Sequence, residues 1–182
     1  MTLPRLLFFT DPARVPAPEA VAERLPAGSG IVFRAFAAQD AVERGRRLRE
    51  IAIQRGLILL AGADASLAGA IDADGVHLPQ RMVAGLPELK ADHPHYLVTT
   101  AAHDLAAVKA AEALGAHAVV VSPVFPSNSP SAGAPLGLEG LMRLVGATTL
   151  PVYALGGVRA HNAASLIDSG VAGLAAMEAL AS

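Results

Sequence analysis

HAVVVSPVFPSNSPSAGAPLG, residues 117–137, carries the pattern that decides the fold. An apolar run without alternation (117–125) meets a segment rich in Ser, Pro and Gly (126–137), and the helix-forming GLEGLMRLVG (137–146) follows. A strand with one face in water alternates apolar and polar residues, whereas one covered on both faces is apolar throughout. HAVVVSPVF therefore predicts a parallel strand buried under helices. The same unit recurs outward in both directions. Upstream, the strands LLFFT (6–10), GIVFRAF (30–36), LILLA (57–61), DGVHLPQ (74–80) and HYLVTT (95–100) are separated by helical stretches at 18–25, 38–56, 64–72, 83–90 and 101–115. Downstream come LPVYALGG (150–157), a helix over 159–170, VAGLAA (171–176) and the terminal turn MEALAS. Eight strand signals joined by helical crossovers predict an α/β chain, with an eight-stranded barrel ahead of a doubly wound open sheet. Composition alone does not separate the two. No linker divides the pattern, so residues 1–182 read as one domain.

Composition narrows the function. Hydrophobic residues make up 53% of the chain and charged residues only 16%, which excludes disorder. Fourteen Lys+Arg face 16 Asp+Glu, so there is no basic surplus for a nucleic-acid backbone. With no cysteine, disulfides, thiolate nucleophiles and thiolate-held metals are out of reach. No window approaches the roughly 18 apolar residues of a membrane span, and the N-terminal apolar run is too short for a signal peptide. A soluble cytoplasmic protein is expected, with no membrane partner and with homo-oligomerisation left open.

In a barrel the loops after the strands carry the chemistry. Gly156-Gly157 follow the seventh strand, where backbone N–H groups can approach a phosphate; a tight turn is the equal alternative. Ser122, Ser127, Asn128 and Ser129 offer uncharged donors after the sixth strand, or an ordinary surface loop. Arg34 interrupts an apolar strand near its end and must be paired or reach a cleft, where it could grip phosphate. His77 and His103 stand at or after strand ends and could act as donor or base, with Gln80 nearby. His117 reads as structural; His93 and His95 read as solvent-exposed. Arg46, Arg47 and Arg49 read as a solvated helix face. Asp64 and Asn162 fit helix caps, and Glu178 follows the last strand, either near a phosphate seat or pointing outward. No metal motif is present, and the two lysines, Lys90 and Lys109, fall in helices, which disfavours Schiff-base chemistry.

DGVHLPQ, VVVSPVFPSNSPSAGAPLG and PVYALGGV, in this order and spacing, resemble the thiamine phosphate synthase / thiazole tautomerase (TenI-like) family over nearly the whole chain. The resemblance implies a (β/α)8 TIM barrel, here a short one. It implies either of two activities: joining a pyrimidine diphosphate to a thiazole phosphate with magnesium and loss of pyrophosphate, or isomerising a thiazole carboxylate phosphate. The partner it implies is a small phosphorylated heterocycle. By position, Arg34, His77, Gln80 and His103 match the family's catalytic surroundings. Ser127 and Ser129 keep the hydroxyls of its phosphate loop, and ALGGV (154–158) is intact. The departures concern charge. The Asn-Asp after strand three falls on Gly62-Ala63, and the second metal aspartate on Met82. The lysines of R-x-K and of Thr-x-Thr-Lys become Phe36 and Pro130, and a serine after strand eight becomes Glu178. The tautomerase's histidine has no match at Ser122-Pro123. The resemblance thus assigns no cofactor outright, with Mg²⁺ expected only if synthase activity is kept. It leaves open a non-catalytic binding or sensing barrel and a metal-free isomerase.

Overall fold

The computed structural model describes residues 2–127 and 133–181. Eight parallel strands close into a barrel in sequence order: β1 (Leu6–Phe9), β2 (Gly30–Phe33), β3 (Ile58–Gly62), β4 (Gly75–Leu78), β5 (Leu97–Ala102), β6 (Ala118–Val121), β7 (Val152–Ala154) and β8 (Gly173–Ala176). Closure is made by β1 and β8, with Leu6, Leu7 and Phe8 opposite Leu174, Ala175 and Ala176. The open-sheet alternative is thereby set aside. The crossovers carry α1 (Pro18–Ala22), α2 (Ala41–Arg55), α3 (Ala65–Ala70), α4 (Leu86–Asp92), α5 (Leu105–Ala113), α6 (Gly137–Gly146) and α7 (Ala160–Ala163).

Period-two alternation explains why the strand sequences are apolar throughout. One set of alternate residues fills the interior: Leu7, Phe9, Val32, Leu60, Leu97, Val120, Tyr153 and Ala175 pack in one cluster. The intervening set lies under the helices. Ile31, Leu59, Val76 and Val98 pack with Leu48 and Ala52 of α2, Leu67 of α3 and Leu86 of α4, while Val119, Val121 and Val152 pack with Leu141 and Leu144 of α6. Asp64 and Asp104 cap α3 and α5, accepting from the N–H groups of Leu67 and Ala107, each at 2.8 Å.

Several sequence expectations shift. The predicted second strand stops at Phe33, because Phe36 and Ala37 take positive φ and turn the chain. β5 runs on to Ala102, two residues past its predicted end. The predicted helix 159–170 shrinks to α7 and a 3₁₀ turn, Ala164–Leu166; Ser165 Oγ donates to the Asn162 carbonyl there, at 2.7 Å. Arg49 is not on a solvated face: its Nη1 binds both Asp74 oxygens at 3.1 Å. His93 stacks on Tyr96 with centroids 4.5 Å apart, whereas His95 is exposed as expected. His117 is structural, its Nδ1 accepting from the Val98 N–H. Among the described residues no helix is long and apolar enough to cross a membrane.

Candidate ligand site at the barrel mouth

Strand parity sends one residue per strand to the C-terminal rim, two positions beyond an interior residue. Phe9, Arg34, Gly62, His77, Ala101, Ser122, Leu155 and Met177 arrive this way and line a cavity of about 570 Å³. His77 is buried, with Nδ1 2.9 Å from Thr99 Oγ1 and its ring edge-on to Phe9. Burial, reinforced by the Arg34 charge, pushes its pKa down to about 3, so the imidazole is neutral at physiological pH.

His103 stands at the exposed edge of the same cavity. Its Nδ1 lies 2.6 Å from the Ser122 carbonyl oxygen. A carbonyl only accepts, so Nδ1 is the donor in this contact, and Nε2 is the ring nitrogen it leaves unengaged. Gln80 does not line the cavity; its Oε1 accepts from the His103 N–H at 3.1 Å, holding the histidine's backbone.

Arg34 is paired rather than free. Its Nε donates to the Thr10 carbonyl at 2.7 Å, its Nη2 lies 3.3 Å from Asp11 Oδ2, and its guanidinium sits 5.1 Å from the centre of the Phe36 ring. Asp11 also takes two bonds from Arg14, at 3.1 and 2.8 Å. Burial alone would raise the Asp11 pKa; the hydrogen bond and charge of Arg14, the Ala13 N–H and the charge of Arg34 outweigh it and hold the carboxyl below its usual range.

A second cavity, about 190 Å³, adjoins the first through Ser127, Leu155, Gly156 and Met177. Gly156 and Gly157 form its wall at φ +92 and +66. A Cβ on Gly156 would lie 2.8 Å from Pro123 Cα, and one on Gly157 2.4 Å from the Pro126 carbonyl oxygen. Neither position tolerates a side chain. Among the described residues neither glycine N–H has an acceptor, while Phe125 N–H donates to the Gly156 carbonyl at 3.0 Å and fixes the turn. Asn162 caps the turn: its Oδ1 accepts from the Arg159 N–H and its Nδ2 donates to the Gly157 carbonyl. Glu178 faces this cavity rather than pointing away, with Oε2 3.5 Å from Arg159 Nη2 and Oε1 4.0 Å from Arg14 Nε.

The structure therefore brings Arg34, His77, His103, Ser122, Ser127, Gly156 and Gly157 to one mouth. Asn128 and Ser129 lie outside the described residues. Sequence reasoning missed Asp11, Arg14, Arg81 and Arg159. Each follows a strand end closely, and that position on the loop-bearing face was the signal available.

The magnesium implied by the resemblance does not fit these residues. The position of the first metal aspartate is Ala63, whose side chain supplies no oxygen, and Gly62 before it is closely covered, a notional Cβ lying 3.0 Å from Arg34 Cγ and 3.1 Å from the Phe33 carbonyl. Asp64 lines the larger cavity but gives Oδ1 to the cap of α3, and Met82 supplies no oxygen. Among the described residues no three His, Asp or Glu side chains converge as a metal site.

These features define an eight-stranded parallel α/β barrel with an open cavity at the face carrying the loops after the strands. The family profile described as "Thiamine monophosphate synthase" matches residues 6–180. The chain belongs to that family. It is 28% identical to the thiamine-phosphate synthase of Pyrococcus furiosus, over 97% of this chain and 86% of that one. It is 31% identical to that of Moorella thermoacetica, over 79% and 69%. The solved thiamine phosphate pyrophosphorylase from Pyrococcus furiosus superposes with a TM-score of 0.83 at 29% identity, covering 95% of this chain and 85% of that one.

Proposed function

We propose that this barrel binds a small phosphorylated heterocycle, a phosphorylated thiazole or pyrimidine, and does so without a metal. The phosphate sits against the Gly156-Gly157 amides between Arg14 and Arg159. The ring extends through the shared wall at Leu155 and Met177 into the larger cavity, over Phe9 and His77. The observation that carries this reading is the continuity of the two cavities, one polar and sized for an anion, the other wide enough for a ring. Transfer of the pyrimidine would break its carbon–oxygen bond to diphosphate and form a carbon–nitrogen bond to the thiazole. Charge then develops on the departing pyrophosphate and must be neutralised. The mouth offers Arg34, already shared with Asp11, and Arg81, so the synthase reaction is expected to be slow here.

A second reading, a metal-free isomerase, is favoured by one observation. His103 has its Nδ1 proton committed to the Ser122 carbonyl and its other ring nitrogen available as a base at the cavity edge. Calorimetry with thiazole phosphate, alongside assays of coupling and of isomerisation, tests both. Saturable binding at equal affinity with and without Mg²⁺ is the expected result. Absence of binding rejects the reading, and loss of isomerisation in His103→Gln would favour the second version over simple binding.

A further inference from the structure

The two cavities are joined by a line of alternating charges: Arg34, Asp11, Arg14, Glu178 and Arg159, with contacts of 3.3, 2.8, 4.0 and 3.5 Å along it. Three guanidinium groups face two carboxylates, an excess of one positive charge. Within the line, Glu178 is the group that lies in the smaller cavity with a carboxylate oxygen toward each of the arginines that would otherwise meet a ligand anion. Its side chain is 38% exposed, and its contacts with the two arginines, at 4.0 and 3.5 Å, are ion pairs rather than close hydrogen bonds.

We propose that Glu178 is a specificity-determining residue: it is the resident anion of the seat and sets the charge class the seat accepts. This rests on the anion-seat reading above and deepens it. With Glu178 between Arg14 and Arg159, the uncompensated charge is matched by one negative charge on the ligand. A monoanion, such as a carboxylate, a phosphodiester or a singly protonated phosphate, is accommodated beside the carboxylate. A phosphate monoester, the ligand proposed above, is therefore taken chiefly as its singly protonated form, because the dianion brings a second charge against Glu178 and must push it off the arginine pair. The residue thus acts as a built-in competitor against dianions, and removing its charge should convert the seat into one that prefers them.

The test compares two probes by calorimetry on the full chain at about pH 8, where phosphate is chiefly the dianion. Inorganic phosphate reports dianion binding and dimethyl phosphate reports monoanion binding, each measured with wild type, Glu178→Gln and Glu178→Ser. The expected result is that both variants bind phosphate about tenfold more tightly or better, while dimethyl phosphate changes by less than about threefold. A merely structural role for Glu178 would move both probes together. If all three proteins bind phosphate alike, or the variants bind it more weakly, the role of Glu178 is overturned while the seat stands. If none binds either probe, the seat falls and this inference falls with it. The serine variant keeps the comparison open should the glutamine variant fail to fold.

Discussion

Gly157 is the residue at which backbone geometry and the proposed anion seat meet. Its φ of +66 and the 2.4 Å approach of a notional Cβ to the Pro126 carbonyl mean that Gly157→Ala must move the turn. The substitution is expected to cost about 1–3 kcal/mol in thermal or denaturant unfolding and to weaken anion binding at least about tenfold. A variant that binds phosphate normally would show that the amides are not the seat. His77 makes a separate prediction. Its folded pKa of about 3 lies below the usual 6.5, so between those values the unfolded chain binds a proton that the folded one does not. The stability it contributes is complete above about pH 6.5 and is lost as pH falls toward 3. Replacement by Phe should flatten the pH dependence of unfolding in that window. At this scale the Gly-Gly pair and the strand-end histidines were legible, because residue type and position after a strand suffice. Arg14, Arg159 and the orientation of Glu178 were not. Their meaning comes from loops after different strands converging at closure, which no local pattern records.

At the scale of elements, the strands were legible as apolar runs because both faces are covered, one by interior residues and one by helices. The helix α2 was legible for a related reason: Leu48 and Ala52 share the face that packs on the barrel, and Gly56 ends the helix in the left-handed conformation. Leu48→Ala should cost about 2–5 kcal/mol of unfolding free energy with ligand binding unchanged at temperatures where the chain is folded. Boundaries were less legible. Ser165 and Asn162 bond to nearby backbone groups and cut α7 short, which apolar spacing could not foretell. The junction of α5 with the segment before β7 rests on Glu112, which accepts from Lys109 Nζ and from the N–H and hydroxyl of Thr149. Those bonds, Lys109 foremost, pull its pKa down to about 2 from 4.5. The stabilisation is present above about pH 4.5 and disappears as pH falls through 2. Melting temperatures of wild type and Glu112→Gln should accordingly differ at neutral pH and converge over that range.

For the whole molecule, barrel closure turns eight separate loops into one site. It sets a glycine turn from β7, arginines from the β1 and β7 loops and a carboxylate from the β8 loop around one small cavity. It also places Arg34 against Gly62, beside Ala63, where the resemblance had implied a metal aspartate. The fold of the family is therefore present, with side-chain charge pairs lining the mouth. The most direct measurement is a crystal soaked with thiazole phosphate and Mg²⁺. The account predicts phosphate density within hydrogen-bond reach, about 3 Å, of the Gly156 and Gly157 amides, and no metal beyond β3 and β4. A magnesium ion bound there between ligand and protein, or phosphate seated away from the glycine turn, would contradict it.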